Sequence, residues 1–381
     1  MSEILLSIGL LIILAKLLGI VTQRIGLTSL IGQIIAGVIA GPVLGIVFFD
    51  DFIGSFIMIG IIAVLFLAGL EVKFDEIKQS TYKASFIAVM AGLLSFAGGF
   101  MVGMYFFGDY VVGVAIGTIL VSSSNITLFS ILQKTGHFHS YTGKFIVAIT
   151  IADDVVGIMV LSMFNFIVKN NALDVFDILK IFLLTIGFYL FILTLGSRVL
   201  SRTVKWLSLF RDEFVLFTIP IAAAFAVSFV TENLGLSLAT GAFMSGMAIA
   251  NSDLKGIIEN KTRVVSEGFL EPLFYASIGT LLVFSGLDFT IIAVIFIASV
   301  LAKLLGAGLL SRLFGFSRKE AALIGISLIP RGNENIVIAQ IIFALGIISP
   351  TLYSSIIFAI IATVVISPVL LSLFCRNMKY T

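Results

Sequence analysis

Apolar stretches of 18 or more residues recur along the whole chain, separated by short polar segments. Runs of that length are long enough to cross the hydrocarbon core of a bilayer as helices. The pattern predicts thirteen spans, at roughly 4–21, 28–48, 52–70, 84–107, 111–133, 145–168, 178–197, 213–231, 236–252, 266–286, 289–311, 320–348 and 350–374. The first contains Lys16 and runs into "VTQRIG" with no small-residue cleavage site, so it reads as a retained helix and not a signal peptide.

Composition agrees. The 381 residues are 60% hydrophobic and 12% charged, about half the charge of a soluble protein. Charge position adds orientation. With the N-terminus outside, eighteen of the 23 lysines and arginines fall in cytoplasmic segments; Lys169 and Lys180 fall outside, and Lys16, Lys303 and Arg331 lie within spans. That asymmetry obeys the positive-inside rule and predicts a multi-pass cell-membrane protein with a cytoplasmic C-terminus. A single cysteine, Cys375, excludes an internal disulfide, and His137 and His139 give only weak support for a metal site.

The chain also repeats itself. "VTQRIGLTSLIGQIIAGVIAG" (21–41) lies over "VTENLGLSLATGAFMSGMAIA" (230–250) without a gap, and Gly26, Gly32 and Gly37 fall on Gly235, Gly241 and Gly246. The offset of 209 residues covers seven spans, so the second copy is inverted. The predicted fold is therefore all-α and polytopic, with inverted six-helix repeats at about 1–168 and 213–374 around a linker helix at about 178–197. The same shift puts "SSSN" (122–125) on "RGNE" (331–334), the two most polar stretches inside any span. Pro330 and Gly332 weaken the second of these helices. Polar backbone at membrane depth is tolerated where it is buried in protein or lines a cavity, so matched helix breaks point to a transporter's binding site. Serines and Asn125 are equally suited to back-bonding on helix carbonyls, which is the competing reading.

Adjacent carboxylates, Asp153 and Asp154, stand in the middle of an otherwise uncharged span between Lys144 and Lys169. Asp153 lies about 13 Å along a helix from Lys144, Lys303 about 13 Å from Arg312, and Ser124 about 15 Å from Lys134. Two acids, one lysine and one break thus share a layer near the midplane. Each charge there costs roughly 2.5–3.5 kcal/mol, less if Lys303 pairs with an acid. Neighbouring helical residues point about 100° apart, so one carboxylate pairs with Lys303 and the other opens on a watery site. A purely structural triad is the alternative. Arg331, Asn333 and Glu334 are assigned to charge compensation at the broken ends, while Glu71, Glu267, Glu271 and Lys16 sit near span ends, with Glu71 or Glu271 as candidates for lining a funnel.

The ordered motifs "QRIGLTSLIGQIIAGVIAGPVLG", "LFLAGLEV", "ITIADDVVG", "LGLSLATGAFMSGMAIAN", "EPLFYASIG", "VLAKLLG" and "IPRGNENIVIA" resemble the monovalent cation:proton antiporters. The Asp153–Asp154 pair with Lys303 is similar to the electrogenic sodium/proton, NapA- and NhaA-like branch. One position departs: many relatives carry Glu directly after Arg–Gly, where this chain has Asn333 followed by Glu334. The resemblance implies an NhaA-type fold with crossed discontinuous helices, a core domain (about 84–168 and 289–374), a dimerising domain from the remaining helices, and elevator movement. It implies that Asp154 is the main cation and proton ligand, that Asp153 pairs with Lys303, and that Ser124, Asn125 and Thr127 lie beside the site. It further implies Na+ or Li+ exchanged for H+, with Na+ held at Asp154 and Asp153, no cofactor, no nucleic acid, a homodimer in the bilayer, and no enzyme activity. Alternatives are potassium/proton exchange, a sodium-coupled organic-anion symporter and a cation channel.

Overall fold

The computed structural model describes residues 2–47, 51–72, 74–124, 132, 140–170, 175–207, 214–250 and 252–376. Among the described residues the regular structure is entirely helical. In chain order the helices are α1 Ser2–Arg24, α2 Ser29–Val38, α3 Asp51–Glu71, α4 Phe74–Phe107, α5 Tyr110–Ile119, α6 Tyr141–Asn170, α7 Val175–Phe191 and α8 Ser197–Leu207. There follow α9 Val215–Asn233, α10 Leu238–Ile249, α11 Lys255–Val265, α12 Glu271–Thr280, α13 Phe289–Lys303, α14 Arg318–Ser327, α15 Asn333–Ala344 and α16 Pro350–Arg376. Seven of these regions are long and apolar enough to cross a membrane, and five shorter apolar helices accompany them.

Helix ends follow local sequence. Asp109 accepts from the Val111 N–H at 2.7 Å to start α5, and Asp288 accepts from Thr290 N–H at 2.7 Å to start α13. Those backbone donors hold the exposed Asp288 carboxyl below its ordinary range. Ser317 and Glu320 cap α14 reciprocally, each side chain taking the other residue's N–H. Gly26 and Gly235 close α1 and α9 at φ +86° and +83°, a left-handed turn that a side chain would strain. Both ends use one bonding scheme, Leu27 N–H to Thr22 O at 3.0 Å and Leu236 N–H to Thr231 O at 2.9 Å.

Glycines at the repeated positions also set the closest helix crossings. A Cβ at Gly37 would overlap the Ala276 carbonyl and one at Gly279 the Ile34 carbonyl, so α2 and α12 meet backbone to backbone. Gly246 and Gly69 do the same between α10 and α3, against the Phe66 and Phe243 carbonyls. Such small-residue contacts are how helices approach closely in lipid. Around these crossings α1, α2, α3, α9, α10, α11 and α12 pack together, while α4 packs on α5, α6 and α13, and α16 on α13, α14 and α15. Large apolar side chains such as Leu6, Met101, Phe229 and Leu309 are left on the periphery.

Several boundaries differ from the sequence expectation, and α4 begins at Phe74 and not near 84. The helix predicted at 266–286 begins at Lys255, passes a π-turn at Ser266–Leu270 and stops at Thr280. The helix expected to end at 197 continues through a π-turn at Ile192–Gly196 to Leu207. Charged residues in these extensions, such as Arg263 and Arg202, lowered the apolar signal without breaking the helix.

Candidate functional site

The two polar breaks cross each other. Helix α5 ends at Ile119, and residues 122–124 are non-helical; α14 ends at Ser327, and residues 329–332 are non-helical before α15. Ser124 N–H donates to the Pro330 carbonyl at 2.7 Å, and the Ser123 hydroxyl donates to the Leu328 carbonyl at 2.9 Å. Gly332 is required by this crossing, since a Cβ there would overlap the Ser124 side chain. Backbone groups freed by each break are thus partly satisfied by the other.

Carbonyls at the end of α5 collect the site's cations. Lys303, fully buried, donates to Asp153 Oδ1 and Oδ2 at 2.7 and 2.8 Å and to the Val121 carbonyl at 2.7 Å. All three ammonium hydrogens are then used. Immediately after Lys303, α13 passes into a π-turn at Leu304–Leu309, a distortion frequent at functional sites. Arg331, also fully buried, donates to the carbonyls of Val121, Ser122 and Ser299 and to the Ser95 hydroxyl. Asn335 donates to the carbonyls of Ile119 and Ser122 at 2.7 and 3.0 Å, while its Oδ1 accepts the Gly332 N–H at 3.0 Å. A helix C-terminus carries partial negative charge and unsatisfied carbonyls, so two cations and an amide stabilise it there.

Asp154 is 3% exposed and lies on α6 beside the Asp153–Lys303 pair. The Glu334 carboxyl adjoins Asp154 and the Ser122 hydroxyl. A cavity of about 250 Å³ reaches this point: Ser123, Ser124, Asn333 and Glu334 form its buried end, and Glu71 and Arg263 stand nearer the surface. Arg263 binds Glu71, Glu267 and Glu259 at 2.7, 2.7 and 2.9 Å and is 38% exposed, which marks the outer end. Glu71 and Glu271, named as funnel candidates, both line this cavity, as does Lys16.

Of the sequence-predicted residues, Asp153, Asp154, Lys303, Ser124, Arg331, Asn333 and Glu334 come together here. Asn125 and Thr127 lie outside the described residues, as do His137 and His139. Within the group assigned to charge compensation, Arg331 lies on the α5 carbonyls and Glu334 stands in the first turn of α15, and Asn333 and Glu334 also border the cavity. Asn335, which sequence reasoning did not single out, stands beside Arg331 on the α5 carbonyls. Its one signal was the density of polar residues in "RGNEN". Among the described residues no group of three or more His, Cys, Asp or Glu has the geometry to hold a metal ion.

The family model for "sodium/hydrogen exchanger, transmembrane" matches residues 9–376. The chain belongs to that family. Among curated members, this exchanger-family chain is 26% identical to the Na(+)/H(+)-K(+) antiporter GerN of Bacillus cereus, covering 97% of this chain and 95% of GerN. It is 25% identical to a Na(+)/H(+) antiporter of Enterococcus hirae, over 94% of each chain. Among solved structures, it resembles the sodium proton antiporter MjNhaP1 of Methanocaldococcus jannaschii at pH 8, with a TM-score of 0.78 and 19% identity over 98% of this chain and 99% of that one. That likeness gives the antiporter fold, and the family together with the apolar helices makes this a multi-pass membrane protein; this solved neighbour is NhaP-type, which does not bear out the NapA- and NhaA-like branch expected from the motifs.

Proposed function

We propose that this chain is a secondary-active antiporter exchanging Na+ or Li+ for protons, with Asp154 and Asp153 on α6 at the ion site. The observation that carries the reading is the buried charged layer at the two crossing breaks: Asp153 bound to Lys303, and Asp154 beside a cavity that reaches it from one side. Family membership and the names of GerN and the Enterococcus hirae relative support the exchange. Transported ions take the place of any resident cofactor, no reaction chemistry is needed, and the chain is read as a transporter and not an enzyme.

The site can bind either ion because a cation and a proton compete for the same carboxylates. An empty, negatively charged site is costly to carry through the apolar layer, so only loaded states cross and the fluxes are coupled. The exchange is electrogenic in this reading, as the lysine-paired aspartate suggests. Each net charge moved is worth about 2.3 kcal/mol per 100 mV, so an inside-negative potential drives Na+ out. The architecture proposed is thirteen spans in two inverted repeats. The matched bonding at Gly26 and Gly235 and the matched crossings at Gly37–Gly279 and Gly246–Gly69 support it. The helices packed around α4 and α13 form the moving core, the others a dimerising scaffold, and the core carries the site like an elevator. With the N-terminus outside, the cavity at Glu71 and Arg263 opens to the cytoplasm and the site faces inward.

Potassium is the second reading, favoured by the name of GerN. Proteoliposomes with an internal pH dye test both. Na+ or Li+ additions are expected to move protons in wild type and not in Asp154→Asn. A response to K+ alone would transfer the proposal to potassium, and no response to any cation across a range of pH, in vesicles holding folded protein, would overturn exchange.

A further inference from the structure

Asp154 has a carboxyl neighbour that the exchange reading did not require. Glu334 is 7% exposed, adjoins Asp154 and the Ser122 hydroxyl, and borders the buried end of the cavity. Neither buried cation is turned to it. Lys303 spends its donors on Asp153 and the Val121 carbonyl, and Arg331 donates to Val121, Ser122, Ser299 and Ser95. Glu334 Oε2 is buried without a hydrogen bond from the described residues. A buried carboxylate oxygen at the end of a cavity is suited to take a proton or a cation.

Two carboxyl groups in contact, out of water and without a cation between them, cannot both ionise. The charged groups acting most on Glu334 are Asp153 and Asp154 from α6 and Glu71 from α3, all negative when ionised, while Lys16, Arg263, Glu267 and Glu271 also line the cavity. Tyr189 of α7 and Tyr275 of α12, both buried, are the further titratable groups in electrostatic range. Glu334 is also the second residue of α15, and the helix N-terminus lowers the cost of a carboxylate once a cation has arrived. Without a cation the pair therefore holds at least one proton, the negative charge of Asp153 and Glu71 nearby favours a second, and both carboxyls ionise only around a small cation.

We propose that Glu334 is a proton-carrying ligand of the ion site, acting with Asp154 to exchange two protons for one monovalent cation. This rests on the exchange reading above and deepens it. In the proton-loaded state Asp154 and Glu334 are neutral acids. A monovalent cation entering from the cavity binds between them, both O–H bonds break, and two protons leave to the cavity. The pair passes from no net charge to one negative charge with its cation, so one net charge moves per cycle. Asp153 and Lys303 remain an ion pair throughout and release nothing.

Proton release on cation binding, measured in detergent and weak buffer with a pH dye, with bound Na+ counted by calorimetry, tests this without transport. Wild type is expected to release about two protons per bound Na+ and Glu334→Gln about one. Equal counts in the two proteins would overturn the proposal. A wild type that binds Na+ with no proton release would instead sink the exchange reading. Should Glu334→Gln not fold, infrared difference spectra of the wild type on Na+ addition still test whether any glutamate gives up its proton. Loss of protonated-carboxyl absorption that shifts when all glutamates carry a carbon-13 carboxyl is the expected result. A spectrum unmoved by the label means no glutamate deprotonates, and the proposal fails.

Discussion

At the residue scale, one ion pair decides how much the buried layer costs. Asp153 and Lys303 are both fully buried, bonded at 2.7 Å, and the lysine has its remaining donor on a carbonyl. Removing one partner strands the other in low dielectric, which typically costs about 3–5 kcal/mol. Asp153→Asn is accordingly expected to lower the thermal midpoint in detergent strongly, and Asp153→Asn combined with Lys303→Gln to recover much of the loss. A single variant as stable as wild type would mean that Lys303 finds another partner. These residues were legible in the sequence because a charge in an apolar span has no ordinary explanation. Asn335 was not, because its role depends on the Ile119 and Ser122 carbonyls, which arrive from more than 200 positions away. Glu334 was seen but assigned to charge compensation at the broken ends, and its place beside Asp154 at the cavity depends on the crossing of the two breaks.

At the scale of elements, the break with Pro330 and Gly332 was readable from its residues, whereas the first break was readable only by its symmetry with the second. Nothing in "TILVSSS" forbids a helix; α5 stops at Ile119 where its carbonyls are claimed by Lys303, Arg331 and Asn335. The glycine register had a similar meaning. Repetition of Gly26, Gly32 and Gly37 at Gly235, Gly241 and Gly246 suggested two copies, and the structure places Gly37 and Gly246 at matching close approaches. Gly69→Ala and Gly279→Ala are therefore expected to destabilise by similar amounts, about 1–3 kcal/mol each, as overpacked contacts do. Gly256→Ala, with nothing within 4 Å of the added carbon, should leave the melting temperature near wild type. If only one of the two crossing variants melts early, the copies do not bear equal load.

At the scale of the whole molecule, a second cavity of about 230 Å³ lies elsewhere on α6, lined by Asn165, Lys169, Glu232 and Gln340. Asn165 is twelve residues beyond Asp153, or about 18 Å along the helix. Here α6 is tied to α9, α10 and the turn between them. The Ser162 and Thr240 hydroxyls are 2.5 Å apart, the Asn165 amide donates to the Gly235 and Leu236 carbonyls at 3.2 and 2.8 Å, and Lys169 lies 3.8 Å from Glu232. In the proposed elevator, α6 moves with the core and α9 and α10 stay with the scaffold, so these contacts break each time the site turns outward. Each hydrogen bond is worth about 0.5–1.5 kcal/mol, so Asn165→Ala should raise the outward-facing population on the order of tenfold. The readout is thiol labelling of Gln340→Cys at the second cavity, in a Cys375→Ser background, with and without Asn165→Ala. Faster labelling with Asn165→Ala, suppressed when a membrane-impermeant reagent reaches only the side of the first cavity, is the expected result. Labelling that is unchanged would mean that the α6 contacts do not restrain the movement, and the proposed division into a moving core and a fixed scaffold would have to be redrawn along another helix.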